Sequence, residues 1–265
     1  MVFKDLLQRL AEWTYSHLPQ STPHPDKALK AKIIAHRGAW KERSLTENTI
    51  EAFQQAMDAG VWAIEFDIRW TMDEVPVIFH DSNTSRINPE VFFEIEETLY
   101  SELKKALPKT PTFTEVVERF GKKVHLMIEL KTQLTGRRRQ IILEALQDLE
   151  PVKDYHLLSM DIHRFQHFDN LPKETFVSIA EFNIQEIFDY TLRHQFGAMT
   201  GHFLLFHRWQ IQELKKRKKL VGTGFPTTPT LLYRELNRDV DWIFTNDPIA
   251  LQKELNQLKA PSQSF

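Results

Sequence analysis

A TIM-type (β/α)8 barrel of the α/β class is the fold predicted by this sequence of 265 residues, and three observations predict it. From Lys32 onward, short apolar runs alternate with helical stretches, which favours a mostly parallel sheet. About eight such repeats fit into roughly 230 residues, the scale of a closed barrel. Several strands that should be buried also carry charge toward their C-terminal ends, where such barrels place their chemistry.

The elements follow in chain order. Residues 1–18 place Phe3, Leu6, Leu7, Leu10, Trp13 and Leu18 at helical spacing. The polar face balances Lys4 and Arg9 against Asp5 and Glu12, which favours packing on the domain over a membrane surface. Residues 19–31, with Pro19, Pro23 and Pro25, form a linker, so the chain divides into 1–31 and a barrel domain, 32–265. Strands are predicted over 33–36, 61–68, 76–80, 124–130, 155–159, 175–180, 197–206, 219–223 and 241–245. Helices are predicted over 48–59, 113–120, 137–149, 161–168, 183–194, 208–218, 229–237 and 247–258. Only Thr71 to Val75 separates the second and third strands, too short for a parallel crossover, so a hairpin interrupts the regular count there. Asn48 with Glu51 has the form of a capping box, and Asp247-Pro248 that of an N-cap followed by proline. Residues 84–112 form an insertion without strong periodicity, the kind of excursion that covers a binding mouth.

Composition removes several function classes. There is no cysteine, hence no disulfide, thiolate nucleophile or Cys-ligated zinc. The formal net charge of −2 argues against a general nucleic-acid binder. No apolar stretch approaches the ~20 residues of a membrane-spanning helix, and the N-terminus lacks the order of a signal peptide. A cytoplasmic location is expected. Eight glycines are about 3% of the chain, against roughly 7% on average. Neither common spacing of a glycine-rich nucleotide loop occurs, so any phosphate must be held by charge.

That charge lies on strand faces. In VWAIEFDIRW, Ile64, Phe66 and Ile68 occupy one face, while Glu65 and Asp67 share the other. In VHLMIELK, Ile128 and Leu130 alternate with Met127, Glu129 and Lys131. The first strand runs into His36 and Arg37, the third into His80 and Asp81. The apolar faces should meet the helices, which turns the charged faces into the barrel. Glu65, Asp67 and Glu129 would converge there, and burial would raise their pKa values unless a cation resolved the repulsion. An all-oxygen set suits Mg²⁺ or Ca²⁺ better than zinc. Ion pairs with Arg37 and Lys131 are the structural alternative, weakened by the recurrence of the pattern on four strands. His36 and His80 would face the cluster as a pair able to divide general acid and base roles. With no evident activated serine, this set describes phosphoester hydrolysis or phosphoryl transfer.

The run from Ile34 to Ile87 carries HRG at 36–38, ENT at 47–49, Gly60, E.D at 65–67 and HD at 80–81. IELK at 128–131, LLSMD at 157–161 and DWIFTNDP at 241–248 follow. In these elements and their spacing, about residues 32–250 resemble the glycerophosphodiester phosphodiesterase family of the PLC-like phosphodiesterase TIM-barrel superfamily. The resemblance implies hydrolysis of small glycerophosphodiesters to sn-glycerol 3-phosphate and an alcohol, with a divalent metal. By position, His36 and His80 match the family's acid/base pair, Glu65, Asp67 and Glu129 its metal ligands, and Arg37 and Lys131 its phosphate-holding residues. Two further readings remain open: a lysophospholipase D-like hydrolase with an apolar mouth lined by Phe92, Phe93 and Tyr100, and a catalytically silent barrel that binds a phosphorylated metabolite. Three departures stand out. Glu74 replaces the usual Gly of the hairpin turn, Thr46 the Pro before ENT, and GTGFPTT at 222–228 the usual WTVN motif, with Phe225 near the missing tryptophan's place. Two basic runs have a second meaning to weigh: Lys215–Lys219 as a helix end, and Arg137–Arg139 as either an attractor of anions or a solvated face.

Overall fold

The computed structural model describes residues 13–259. Its strands are β1 (Lys32–His36), β2 (Ala63–Trp70), β3 (Pro76–Ile78), β4 (His125–Leu130) and β5 (Tyr155–Ser159). They continue as β6 (Phe176–Ala180), β7 (Ala198–His202), β8 (Leu220–Gly224) and β9 (Trp242–Thr245). Every neighbouring pair is parallel except β2–β3, and pairing of β1 with both β9 and β2 closes eight strands into a barrel. The antiparallel β3 lies outside it, as the five-residue connection requires.

Alternation sorts side chains between two cores. Ile33, Ala35, Ile64, Phe66, Ile68, Ile128 and Leu130 face the helices in the main core, where Phe53 lies 5.7 Å from Phe66 and 5.9 Å from Phe120. Such ring pairs add about 0.5–1.5 kcal/mol beyond area burial. Ile34, Ala63, Met127, Leu158, Val177, Ala198, Trp242 and Phe244 fill the barrel interior. Glu65, Asp67 and Glu129 belong to this inward set by their strand parity.

Some local expectations change. Asn48 does not cap the helix Ile50–Asp58: Thr49 does, its hydroxyl accepting from the Ala52 amide. The last helix, Pro248–Lys259, starts directly after Asp247 as expected, but the Asp247 carboxylate pairs with Lys41 at 2.8 Å and it is Glu42 that accepts from the Ile249 and Ala250 amides, at 2.9 and 2.8 Å. The helix expected over 161–168 is a 3₁₀ helix, Ile162–Phe168, capped by Asp161. The insertion contains a 3₁₀ turn at Ile95–Glu97 and a helix at Tyr100–Ala106, and it packs Ile95 and Leu103 against Val77 and Phe79. The 19–31 segment holds a short helix, Pro25–Lys30. Of the expected N-terminal helix, Phe3, Leu6, Leu7 and Leu10 lie outside the described residues; residues 13–17 are helical. Arg234 lies over the Tyr15 ring at 4.7 Å, joining that segment to the domain. Among the described residues no helix is long and apolar enough to cross a membrane.

Candidate active site

The site grows from the ends of β1, β2 and β4 and from the loop after β3. As β1 ends, Arg37 takes φ +59° and Gly38 φ +84°. A Cβ on Gly38 would stand 2.7 Å from the Ala52 carbonyl carbon, so only glycine fits this turn. The turn lets the Arg37 amide donate both to the Glu65 carbonyl (2.9 Å) and to its Oε2 (3.1 Å). Glu65, Asp67 and Glu129 are buried, and one ligand atom from each lies within 4.8 Å of the others.

Seven residues expected from the sequence therefore meet at one place. Lys131 Nζ lies 2.8 Å from Glu129 and 3.3 Å from Asp67; Arg37 Nε lies 3.4 Å from Asp67. His36 Nε2 stands 3.8 Å from Glu65. The three carboxyls are shifted in different directions. Burial, followed by repulsion from Asp67 and Glu129, pushes Glu65 well up. Burial also raises Glu129, against the pull of Lys131. For Asp67 burial works the same way, but Lys131 and then Arg37 outweigh it and hold the carboxyl well below its usual range. Glu65 Oε1 and Asn48 Oδ1 are buried without hydrogen-bond partners, and Asp67 Oδ1 accepts no hydrogen bond beside its 3.3 Å ion pair with Lys131. Oxygens that accept no hydrogen bond, on converging carboxylates, fit a hard divalent cation.

The histidines are oriented by side chains absent from the expected set. His36 Nδ1 meets Asn246 Oδ1 at 2.7 Å, so Nδ1–H donates and the Nε2 lone pair faces Glu65. Burial, helped by Arg37, pushes His36 down to about 3. His80 Nδ1 meets Asp81 Oδ1 at 2.8 Å; burial lowers its pKa while Asp67 opposes. Asp81 in turn accepts from Arg86 Nε at 2.6 Å. Arg86 also holds Glu47, at 3.0 Å to Oε2 and 2.5 Å to Oε1, and Glu47 holds Arg37 Nη1 at 2.9 Å. One guanidinium from the insertion thus links both edges of the site. Asn48, at φ +56°, donates from Nδ2 to Asp67 at 2.8 Å. Glu47, Asn48 and Asn246 lie in the ENT and TNDP motifs, but nothing local in the sequence assigns them these partners. Arg86 lies in a segment with no periodic signal at all.

The departures also have places. Glu74 adopts φ +59° in the hairpin turn and lies 3.4 Å from both Arg137 and Arg138. Arg138 further meets Glu96 at 2.9 Å, and Arg139 meets Asn170 at 2.9 Å, so this run is tied to neighbouring side chains. Lys215 pairs with Asp241 at 2.5 Å where its helix ends. Phe225 lies with its ring 4.4 Å from that of His36. The apolar side of the cavity comes from the loops after β5, β6, β7 and β8 and from strand interiors, not from Phe92, Phe93 and Tyr100.

Fold and site together define a (β/α)8 barrel with an acidic cluster, a histidine pair and two cations at the C-terminal mouth of its strands. The family model "Glycerophosphoryl diester phosphodiesterase family" matches residues 36–162, a segment holding all seven of these residues. Over that segment the chain is similar to the glycerophosphodiester phosphodiesterase family. A glycerophosphodiester phosphodiesterase of Caldanaerobacter subterraneus subsp. tengcongensis is 30% identical over 156 residues, 53% of this chain and 60% of that protein. A Bacillus subtilis relative is 32% identical over 146 residues, 50% of this chain and 58% of its own length. The chain thus spans a little over half the length of these curated relatives. A crystal structure of a glycerophosphodiester phosphodiesterase from Thermotoga maritima superposes with TM-score 0.72 at 21% identity, covering 84% of this chain and 97% of that one. A phosphodiesterase from Oleispira antarctica, solved with the product sn-glycerol-3-phosphate, gives 0.74 at 22%, covering 85% and 96%. Both likenesses support the barrel fold.

Proposed function

We propose that the protein hydrolyses glycerophosphodiesters to sn-glycerol 3-phosphate and an alcohol, a phosphoric diester hydrolase acting through His36 and His80. The observation that carries this reading is the meeting of two oriented imidazoles with three buried carboxyls, two of which keep an oxygen that accepts no hydrogen bond. Glu65, Asp67 and Glu129 would hold Mg²⁺ or Ca²⁺, which when bound neutralises the carboxylates and polarises a phosphate oxygen. Arg37 and Lys131, half-buried at the edge of the cluster, supply the fixed positive charge that favours an anionic phosphodiester. His36, with Nδ1–H committed to Asn246, has Nε2 open to accept a proton from the attacking oxygen. His80 is assigned as the proton donor to the leaving alcohol: Asp81 accepts its Nδ1–H, fixes the ring's orientation and opposes the burial that lowers its pKa. Glu47 and Arg86 keep Arg37 and Asp81 in register.

The test is a panel of glycerophosphodiesters differing in alcohol, assayed for sn-glycerol 3-phosphate with Mg²⁺ or Ca²⁺. The expected result is release from at least one diester, lost in His80→Ala. Hydrolysis of none, or full retention in His80→Ala, contradicts the assignment.

A further inference from the structure

Three nitrogen groups converge on the two oxygens of Asp67, and they are not equivalent. Lys131 Nζ stands 3.3 Å from Oδ1 and 2.8 Å from Glu129 Oε1, so it bridges two carboxyls of the cluster. Arg37 Nε stands 3.4 Å from Oδ2, and Asn48 Nδ2 donates to the same oxygen at 2.8 Å. Only the amide is neutral. Lys131 and Arg37 carry charge that opposes a cation in the cluster, and under the reading above both also serve the phosphate; Asn48 holds Asp67 without either conflict. Its placement is equally specific. The Asn48 backbone N–H donates to the Arg37 carbonyl at 3.0 Å, the backbone takes φ +56°, and the residue is 3% exposed. Asparagine is among the few residues that adopt this left-handed conformation readily. An ionised Asp67 calls for a donor, which turns Nδ2 toward it and leaves Asn48 Oδ1 buried without a partner. The one hydrogen bond this side chain makes is the one that orients Asp67.

We propose that Asn48 is a positioning residue of the cation site: by clamping Asp67 Oδ2 it keeps Oδ1 on the Glu129 side, and so sets how tightly the site holds a divalent cation. The proposal rests on the reading of Glu65, Asp67 and Glu129 as the carboxylates that hold Mg²⁺ or Ca²⁺. Partners that orient a metal's ligands in this way are worth about 10–100-fold in metal affinity. Thr49, next in the chain, is a different case. Its hydroxyl accepts from the Ala52 amide at 3.3 Å and donates to the Thr46 carbonyl at 2.8 Å. Those contacts hold the start of a helix and touch no group of the cluster. The two neighbours therefore separate the aim of a ligand from the stability of the loop that carries it.

The test is calorimetric titration of the metal-stripped, substrate-free protein with Ca²⁺ and, separately, with Mg²⁺, for wild type, Asn48→Gly and Thr49→Ala. Glycine keeps the positive φ without strain. Asn48→Gly is expected to weaken whichever cation the wild type binds by about 10–100-fold, with the Tm of the stripped protein close to wild type. Thr49→Ala is expected to do the reverse, lowering Tm and leaving the affinity in place. In the diester assay the cation concentration giving half-maximal rate should rise in Asn48→Gly, and saturating cation should restore most of kcat. An unchanged affinity in Asn48→Gly, an equal loss in Thr49→Ala, or a stripped Asn48→Gly that melts far below wild type overturns the proposal and leaves the hydrolytic reading in place. Wild-type protein that binds neither cation overturns the proposal and the cation reading together. The expected loss of affinity in a protein that hydrolyses no diester of the panel above upholds the proposal and removes the hydrolytic reading.

Discussion

Two pairs of histidines share one barrel, His125 and His156 buried, His36 and His80 half-buried, and their surroundings differ. At the N-terminal ends of the strands, His125 donates from Nδ1 to the Lys153 carbonyl at 2.9 Å and accepts at Nε2 from His156 Nδ1 at 2.7 Å. Trp62 stacks on His125 at 4.2 Å, and Trp242 meets His156 edge-on at 5.1 Å. This end is hydrogen-bonded and closed by aromatic rings. At the opposite end, His36 and His80 stand over carboxylates whose oxygens include orphans, and the cavity is open. Burial pushes down the pKa of all four rings. A depressed histidine is therefore no mark of function in itself; the orphaned acceptors beside it are the distinguishing feature.

The widest separation between the two ends is expected in activity. His36→Ala and His80→Ala should each lower kcat for glycerophosphodiester hydrolysis by about 10²–10⁴-fold, with melting temperatures close to wild type. His125→Gln should leave kcat within about twofold. Activity loss of similar size at both ends would break the comparison.

Arg86→Ala comes next. It removes the link between Asp81 and Glu47, and kcat should fall about tenfold with little change in KM, since the residue orients His80 and does not hold substrate. Arg86→Lys should not restore the rate, because one ammonium lacks the fork that spans two carboxylates. Full rescue by lysine would show that charge alone matters there.

Stability against pH separates the ends in the other direction. His125 sits at about 4 in the folded protein, below the 6.5 of an unfolded chain. Between these values the unfolded chain takes up a proton the folded ring refuses, so stability is greatest above pH 6.5 and falls as pH drops toward 4. The loss for this ring is on the order of 1 kcal/mol per pH unit. Urea unfolding at pH 7, 5.5 and 4.5 should show a shallower decline in His125→Gln; parallel curves would contradict the account. The smallest effect is expected at Glu74→Gly. Relief of the positive φ and loss of the pairings with Arg137 and Arg138 oppose one another, and unfolding free energy should shift by less than about 1 kcal/mol.

The contrast also explains what the sequence made legible. Strand parity is a local property, so Glu65, Asp67 and Glu129 could be turned inward from the alternation of Ile64, Phe66, Ile68 and Ile128 alone. The hairpin between β2 and β3 followed from connection length, and its turn forms with Glu74 where glycine is usual. Asn48 was misplaced because asparagine is a favoured N-cap; its side chain instead donates to Asp67, 19 positions along the chain. Asn246 reaches His36 across 210 positions, and Arg86 reaches Glu47 across 39. Such partners depend on closure of the barrel and carry no periodic signature. The insertion was opaque for a related reason: its helix packs on β3 through Leu103, a tertiary contact within a weak pattern.

The central claim is that the end of the barrel with orphaned carboxylate oxygens is a cation-dependent hydrolytic centre. Release of sn-glycerol 3-phosphate from a glycerophosphodiester, followed before and after EDTA and again after added Mg²⁺ or Ca²⁺, tests it most directly. Release that stops with chelator and returns with the cation is the predicted result. Release indifferent to chelator, or none under any condition, would contradict it.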